Sequence, residues 1–208
     1  MFVLLLLPAS GAAQGVTPRP TEQYDEYFRK YSRRYFGPGW DWRVFKAQAM
    51  TESRLNPAAL SPVGARGLMQ LMPSTYGQIA SRDTSLKDIN DPEWNIAAGI
   101  KHNRSLWRQW RGQAADPDRL TFVFASYNAG AGTITRAQGV AETRAFDPML
   151  WASVEAVAPD VQRWREDETL GYVRRIEENR AKLDSRGRVR SSTRTAAKPR
   201  PAPASPSP

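Results

Sequence analysis

The chain of 208 residues has no cysteine and a single histidine, His102. The first absence excludes disulfides and thiolate metal sites, and leaves the redox compartment open. The second narrows the chemistry. A Ser-His-Asp triad would have to use His102, and no Gly-x-Ser-x-Gly elbow accompanies it. Zinc peptidases and amidases typically draw on two or three histidines, and there is no His-Glu-x-x-His. The inventory argues against triad and metal-dependent hydrolases; a single-carboxylate enzyme survives it. His102 itself, within Lys101-His102-Asn103-Arg104, reads as a solvated helix residue. Long apolar runs are also missing. The stretch Phe2 to Leu7 is too short for a transmembrane helix. No run of alternating strand character and no internal repeat is present, so the expected domain is mainly helical.

What is there suffices for one core: the chain is 40% hydrophobic, and one domain with tails is the natural expectation. The net charge of +9 is uneven, because residues 181–208 hold seven basic residues against Asp184 alone. A basic chain is drawn to polyanions in general, whether nucleic acid, anionic lipid or cell-wall polymer, and charge alone does not choose among them.

The stretch from Gln48 to Tyr76 reads as helix, tight loop, helix. Asp41 is a candidate N-cap, and Phe45, Ala49 and Glu52 share one helical face. That places a carboxylate on the apolar side of a helix which Asn56-Pro57 is expected to stop. Burial raises the pKa of such a group, as a general acid working near neutral pH requires. The competing reading is a solvated acid at a helix end. Gly64 and Gly67 permit turns in the loop that follows, and Pro73 suits the first turn of the next helix.

Three blocks stand in order: Glu52-Ser53 followed by Ser61-Pro-Val-Gly-Ala-Arg-Gly-Leu-Met-Gln70-Leu-Met72-Pro73, then Ser126-Tyr127-Asn128-Ala-Gly130, then Glu168-Thr-Leu-Gly-Tyr172-Val173. Together they resemble the signature of the lytic transglycosylases with the soluble Slt-type, goose-lysozyme-like catalytic domain, with Ser126 in place of the usual Ala. The resemblance covers roughly Tyr24 to Arg180. It implies a mainly α, lysozyme-like fold around a glycan-binding cleft, with room for a small β-hairpin.

It also implies peptidoglycan as substrate and no cofactor or metal. By the same resemblance Glu52 is the catalytic residue, first acid and then base. Ser61, Gln70, Met72, Tyr127, Asn128, Glu168 and Tyr172 would hold the glycan, with Tyr172 bonded to Glu52 and Ser53 capping or orienting. Two alternatives stay open. One is a hydrolytic muramidase that enlists Glu168. The other is a non-catalytic peptidoglycan-binding or assembly protein. A nucleic-acid binder would rest on the tail charge alone.

The flanks complete the expectation. Phe2 to Ala13 resembles the end of a secretory signal peptide with cleavage after Ala13, although no Lys or Arg precedes the run; a short buried strand or a disordered end is the competing reading. Export would place the protein in the periplasm or cell envelope. Residues 14–21 read as a linker and 22–182 as the catalytic domain. Residues 183–208 read as a basic, Pro/Ser/Ala-rich disordered tail that could engage cell-envelope proteins. Within the domain, aromatics at 24, 27, 28, 31 and 35 predict a packed helical stripe. Asp91-Pro92 and Asp147-Pro148 each predict a helix start.

Overall fold

Proline, aspartate and glycine mark many of the helix boundaries. The computed structural model describes residues 21–116 and 118–190. Among these the chain forms eight α-helices and, in place of a hairpin, three isolated β-bridges. Helix α1 (Asp25–Phe36) buries the aromatic stripe and ends at Gly37, whose φ of +104° suits a residue without Cβ. Helices α2 (Arg43–Ser53) and α3 (Pro73–Ala80) flank the motif loop, with Pro73 at the first helical position. Helix α4 (Pro92–Gln109) starts as expected, with Asp91 accepting from the backbone N–H of Glu93 at 2.8 Å and of Trp94 at 3.2 Å. Then come α5 (Arg119–Ala129), α6 (Ala131–Thr143), α7 (Trp151–Val157) and α8 (Glu166–Lys182).

Helix α4 packs against α1, α3 and α5, while α8 packs on α2 and α5. Phe28, Phe45, Ile96, Ile100, Trp110, Phe122 and Ile134 are fully enclosed between them. Each such side chain contributes about 1.5–3 kcal/mol of burial. Trp110 donates its indole N–H to Ser126 Oγ at 2.9 Å, so the Ser in the Ser126-Tyr127-Asn128 block satisfies a buried polar group.

Asp41 precedes the helical turn at Trp42, and its Oδ1 accepts from the Arg43 backbone N–H at 3.2 Å, as a capping acid does; it also pairs with the Arg43 side chain at 2.7 Å and with Arg180, fixing the start of α2 to the end of α8. Two boundaries outside the motif loop differ from expectation. Helix α7 begins at Trp151 rather than at Asp147-Pro148, because Asp118 supplies the acceptor for the Trp151 N–H at 2.8 Å. The folded region continues past Lys182 to Arg190. Leu183 is buried and bridges Val189, and Arg43 donates to the Asp184 carbonyl at 3.0 Å. Composition hides this turn because it docks mainly through backbone carbonyls and charged side chains rather than apolar ones. The expected signal segment 1–13, the expected linker up to 20 and the expected tail from 191 lie outside the described residues. No described helix is long and apolar enough to cross a membrane.

Candidate active site

Glu52 lies in the last turn of α2, one residue before the helix stops. The stop comes earlier than Asn56-Pro57. Arg54 and Leu55 take left-handed backbone angles, φ +55° and +62°, with the Arg54 N–H returning to Met50 at 3.1 Å. Side chains with a Cβ resist that region, so two in succession mark strain concentrated beside the acid.

Tyr172 Oη donates to Glu52 Oε1 at 2.5 Å. Gln48, one turn before Glu52 on α2, donates its Nε2–H to Tyr172 Oη at 3.0 Å. Asn103 of α4 donates to Gln48 Oε1 at 2.7 Å. Three donors thus line up toward one carboxylate oxygen, each polarising the next. This relay favours the ionised acid, as does the charge of Arg175, yet burial outweighs both and pushes Glu52 up to about 7. No carboxylate among the described residues adds to that shift. Near neutral pH both forms of Glu52 are therefore populated. With Oε1 occupied by Tyr172, Oε2 is left to carry the proton.

The loop after α2 is a braced wall. Ser53 Oγ donates to the Leu68 carbonyl at 2.9 Å and so ties the end of α2 to it. Leu68, Met69 and Leu71 plug into the core, while Gln70, at φ +46°, turns back and donates to the carbonyls of Gly67 at 3.0 Å and Ala59 at 3.2 Å. Asn95 grips the wall from α4, accepting from Met69 N–H at 2.8 Å and donating to Arg66 O at 2.9 Å. Gly67 is needed here: a Cβ would lie 2.5 Å from the Asn95 amide, and φ is +74°. Ser61 Oγ accepts from Ala65 N–H at 2.9 Å inside the same loop. Met72 is 38% exposed at the base of α3, available for contact with a ligand.

Of the residues singled out from sequence, the structure bonds Glu52 to Tyr172 and brings Tyr127 close enough for the Glu52 charge to bear on it. Burial is the larger reason that the Tyr127 hydroxyl is held well above its ordinary range; it donates to Met69 O at 2.8 Å. Ser61 and Gln70 brace the loop. Asn128 and Glu168 line a separate shallow recess of about 230 Å³ with Thr169 and Trp164. There Trp164 donates to Thr169 Oγ1 at 2.9 Å, and Thr169 donates to Asn128 Oδ1 at 2.8 Å. Glu168 pairs with Arg165 at 2.9 Å, remains 45% exposed, and makes no described bond to Glu52.

Sequence reasoning passed over Gln48, Asn103 and Arg175. Gln48 had a signal, since it precedes Glu52 by four residues on one helix face. Asn103 interrupts the apolar stripe Ile96, Ile100, Trp107 of α4. Arg175 follows Tyr172 by three residues. His102 departs from its solvated reading: its ring packs 5.1 Å from that of Tyr127, and burial lowers its pKa.

Comparison with known proteins adds to this geometry. The family described as "Transglycosylase SLT domain" matches residues 26–150, so Tyr172 and the rest of α8 lie beyond the matched segment. "Membrane-bound lytic murein transglycosylase F" of Shewanella pealeana is 33% identical over 154 residues, covering 73% of this chain and 30% of its own length. The protein of the same description from Desulfosudis oleivorans is 35% identical over 139 residues, covering 65% and 29%. The chain thus spans about 30% of the length of the curated relatives it matches. Among solved structures, the 70 kDa soluble lytic transglycosylase from Escherichia coli superposes with a TM-score of 0.58 at 26% identity, over 77% of this chain and 24% of that one. A complex of the 70-kDa soluble lytic transglycosylase with bulgecin A gives 0.60 at 27% identity, over 78% and 24%.

Proposed function

The chain belongs to the transglycosylase SLT domain family, and from that premise we propose that it is a peptidoglycan lytic transglycosylase with Glu52 as its acid and base. The observation that carries this reading is the buried Glu52 carboxyl, which accepts from the Tyr172 hydroxyl at 2.5 Å, has no second acid bonded to it among the described residues, and is pushed by burial up to about 7. A hydrolase with two carboxylates would place them roughly 5–10 Å apart across the sugar. Glu168, exposed and paired with Arg165, is poorly suited to that role.

In the proposed reaction Glu52 Oε2–H gives its proton to the glycosidic oxygen between N-acetylmuramic acid and N-acetylglucosamine. The C1–O bond breaks through an oxocarbenium-like state, which the 2-acetamido oxygen of the same sugar can stabilise. Ionised Glu52 then removes the proton from the C6 hydroxyl as that oxygen bonds to C1. The product is a 1,6-anhydro ring, Glu52 is again protonated, and no water is consumed. Acid and base are the same group, so a pKa near the working pH serves both halves. Tyr172 positions Glu52. Tyr127, Met72 and the braced loop with Ser61 and Gln70 would contact the glycan near the cut, and Asn128 and Glu168 farther along it. Export to the periplasm or cell envelope, where such a polymer lies, belongs to the same proposal.

The test is mass spectrometry of muropeptides released from purified peptidoglycan by wild type and by Glu52→Gln. The expected products end in 1,6-anhydro-muramic acid, one water lighter than reducing ends, and are absent with the variant. Reducing-end products would overturn the transglycosylase reading in favour of a muramidase.

A further inference from the structure

Gln48 of α2 and Asn103 of α4 are wholly enclosed, where apolar side chains would pack without needing partners. Asn103 stands at helical spacing from the buried Ile96 and Ile100. Its Nδ2–H reaches Gln48 Oε1 at 2.7 Å, yet its Oδ1 is buried and has no partner among the described residues. A leucine at this position would leave no such orphan. The one side-chain bond that the amide does make leads toward Glu52, through Gln48 and Tyr172.

The donors and acceptors of this relay fit two self-consistent directions. In the outward one, Asn103 Nδ2–H gives to Gln48 Oε1 at 2.7 Å, Gln48 Nε2–H to Tyr172 Oη at 3.0 Å, and the Tyr172 hydroxyl to Glu52 Oε1 at 2.5 Å. In the inward one both amides are turned over. Glu52 Oε1–H would then give to Tyr172, Tyr172 to Gln48 Oε1, and Gln48 Nε2–H to Asn103 Oδ1. Ionised Glu52 enforces the outward direction, because it has no proton to give and a charged acceptor makes the stronger bond. Once Glu52 holds a proton that preference fades, and Asn103 decides. Outward, its Oδ1 is short of a donor. Inward, both N–H groups of its Nδ2 would be short of an acceptor, and orphaned buried N–H groups are the rarer case. The direction has a chemical consequence. Outward, the carboxyl proton sits on Oε2; inward, it is held on Oε1 by Tyr172.

We infer that Asn103, acting through Gln48, is a positioning residue that keeps the Tyr172 hydroxyl donating to Glu52 Oε1 whether or not Glu52 holds a proton, and so leaves the transferable proton on Oε2. Resting on the function proposed above, that proton is the one given to the glycosidic oxygen. The other groups whose charge bears on Glu52 are Arg175, on α8 with Tyr172, and Tyr127 of α5. Helix α4 brings the neutral Asn103 and, against the Tyr127 ring, His102. None of these three, Arg175, Tyr127 or His102, is bonded into the path from Asn103 to Glu52, so a change at Asn103 reaches Glu52 by way of Gln48.

Two measurements on the full chain test this, one of them independent of cleavage. The first follows the Glu52 carboxyl by carbon-13 NMR against pH in protein labelled at the glutamate side-chain carboxyl, with the signal assigned by its loss in Glu52→Gln. The second is the pH profile of peptidoglycan cleavage. In Asn103→Leu, Gln48 Oε1 loses its donor and is free to turn to Tyr172, which draws the hydroxyl away from Glu52. Glu52 should then titrate about one pH unit higher, the alkaline limb should move with it, and kcat should fall about tenfold with KM held within about twofold. Asn103→Ala removes the same donor without adding apolar bulk and should match it in both readouts. Gln48→Met offers Tyr172 no competing acceptor, so the hydroxyl still donates to Glu52, and the shift should be about half as large. The double variant should behave as Gln48→Met does, and so cleave faster than Asn103→Leu: the second substitution repairs the first, as loss of packing would not. An unmoved Glu52 titration in both Asn103 variants would overturn the inference, and so would a double variant slower than Asn103→Leu. Titration shifts of the expected pattern with no cleavage by wild type would keep the role of Asn103 and sink the proposed activity.

Discussion

Lys46 and Glu52 stand on the same helix about 9 Å apart along its axis, and both carry their charged ends into the protein. Lys46 is wholly enclosed, with Asp25 Oδ1 at 2.6 Å and the Gly187 carbonyl at 2.6 Å. Glu52 receives a neutral tyrosine hydroxyl at 2.5 Å and, among the described residues, no direct ion pair. The first charge is met by its opposite and becomes part of the frame, clipping the turn after α8 onto α1 and α2. The second is met by dipoles that favour its charge without cancelling the cost of burial. Its proton affinity therefore rises into the neutral range, and the group can give and take a proton. Burial alone does not make a site; what the surroundings leave uncompensated does.

Replacing Glu52 tests the comparison most severely. Glu52→Gln should lower glycan cleavage by about 10³-fold, within the range general acid–base catalysis supplies, as read by release of muropeptides. The same variant should be more stable than wild type at alkaline pH. The folded pKa, about 7, lies above the ordinary 4.5, so Glu52 contributes stability fully below pH 4.5 and loses it as pH rises through 7. Gln has nothing to lose. Denaturation in urea should show a gap that opens between pH 5 and 8 and reaches about 3 kcal/mol. A gap independent of pH would mean that Glu52 is not the titrating group.

Lys46→Met leaves Asp25 buried without its cation. It should cost about 3–5 kcal/mol in urea denaturation, yet leave the pH–rate profile of the remaining folded protein in place. A profile that moved would break the division between frame and site. Tyr172→Phe removes the donor that holds Glu52 down. Glu52 should then rise further, carrying the alkaline limb of the kcat/KM profile up by about one pH unit and lowering the rate by about tenfold. Loss of rate with an unmoved limb would assign Tyr172 to glycan contact instead. The smallest effect is expected at Gly187, where a Cβ would lie 2.1 Å from the Trp42 ring at φ +81°. Gly187→Ala should lower stability by about 1–2 kcal/mol, read by thermal melting, with cleavage at 25 °C unchanged.

What could be read from the sequence rests on rules that act over a few residues. Periodicity located the aromatic face of α1; Asp91-Pro92 marked a helix start because cap and ring act within one turn. The same spacing put Glu52 with Phe45 and Ala49, and the three ordered blocks pointed to the family that matches residues 26–150. Local rules failed where a distant group took over. Asp147-Pro148 looked like a helix start, but Asp118 caps α7 from 33 positions away. The turn through Gly187 looked like tail, since backbone carbonyls that accept from Arg29, Arg43 and Lys46 leave no trace in composition.

The proton affinity of Glu52 belongs to the tertiary structure. The sequence alone determined that a carboxylate would lie at the end of a half-buried helix, because a 3.6-residue period fixes which side chains share a face. Whether that carboxylate stays a solvated acid or becomes a titrating one depended on Tyr172, 120 residues away, and on the link from Gln48 to Asn103, 55 residues away. Only packing sets those distances, and desolvation and hydrogen bonding, which decide a pKa, fall off within a few ångströms.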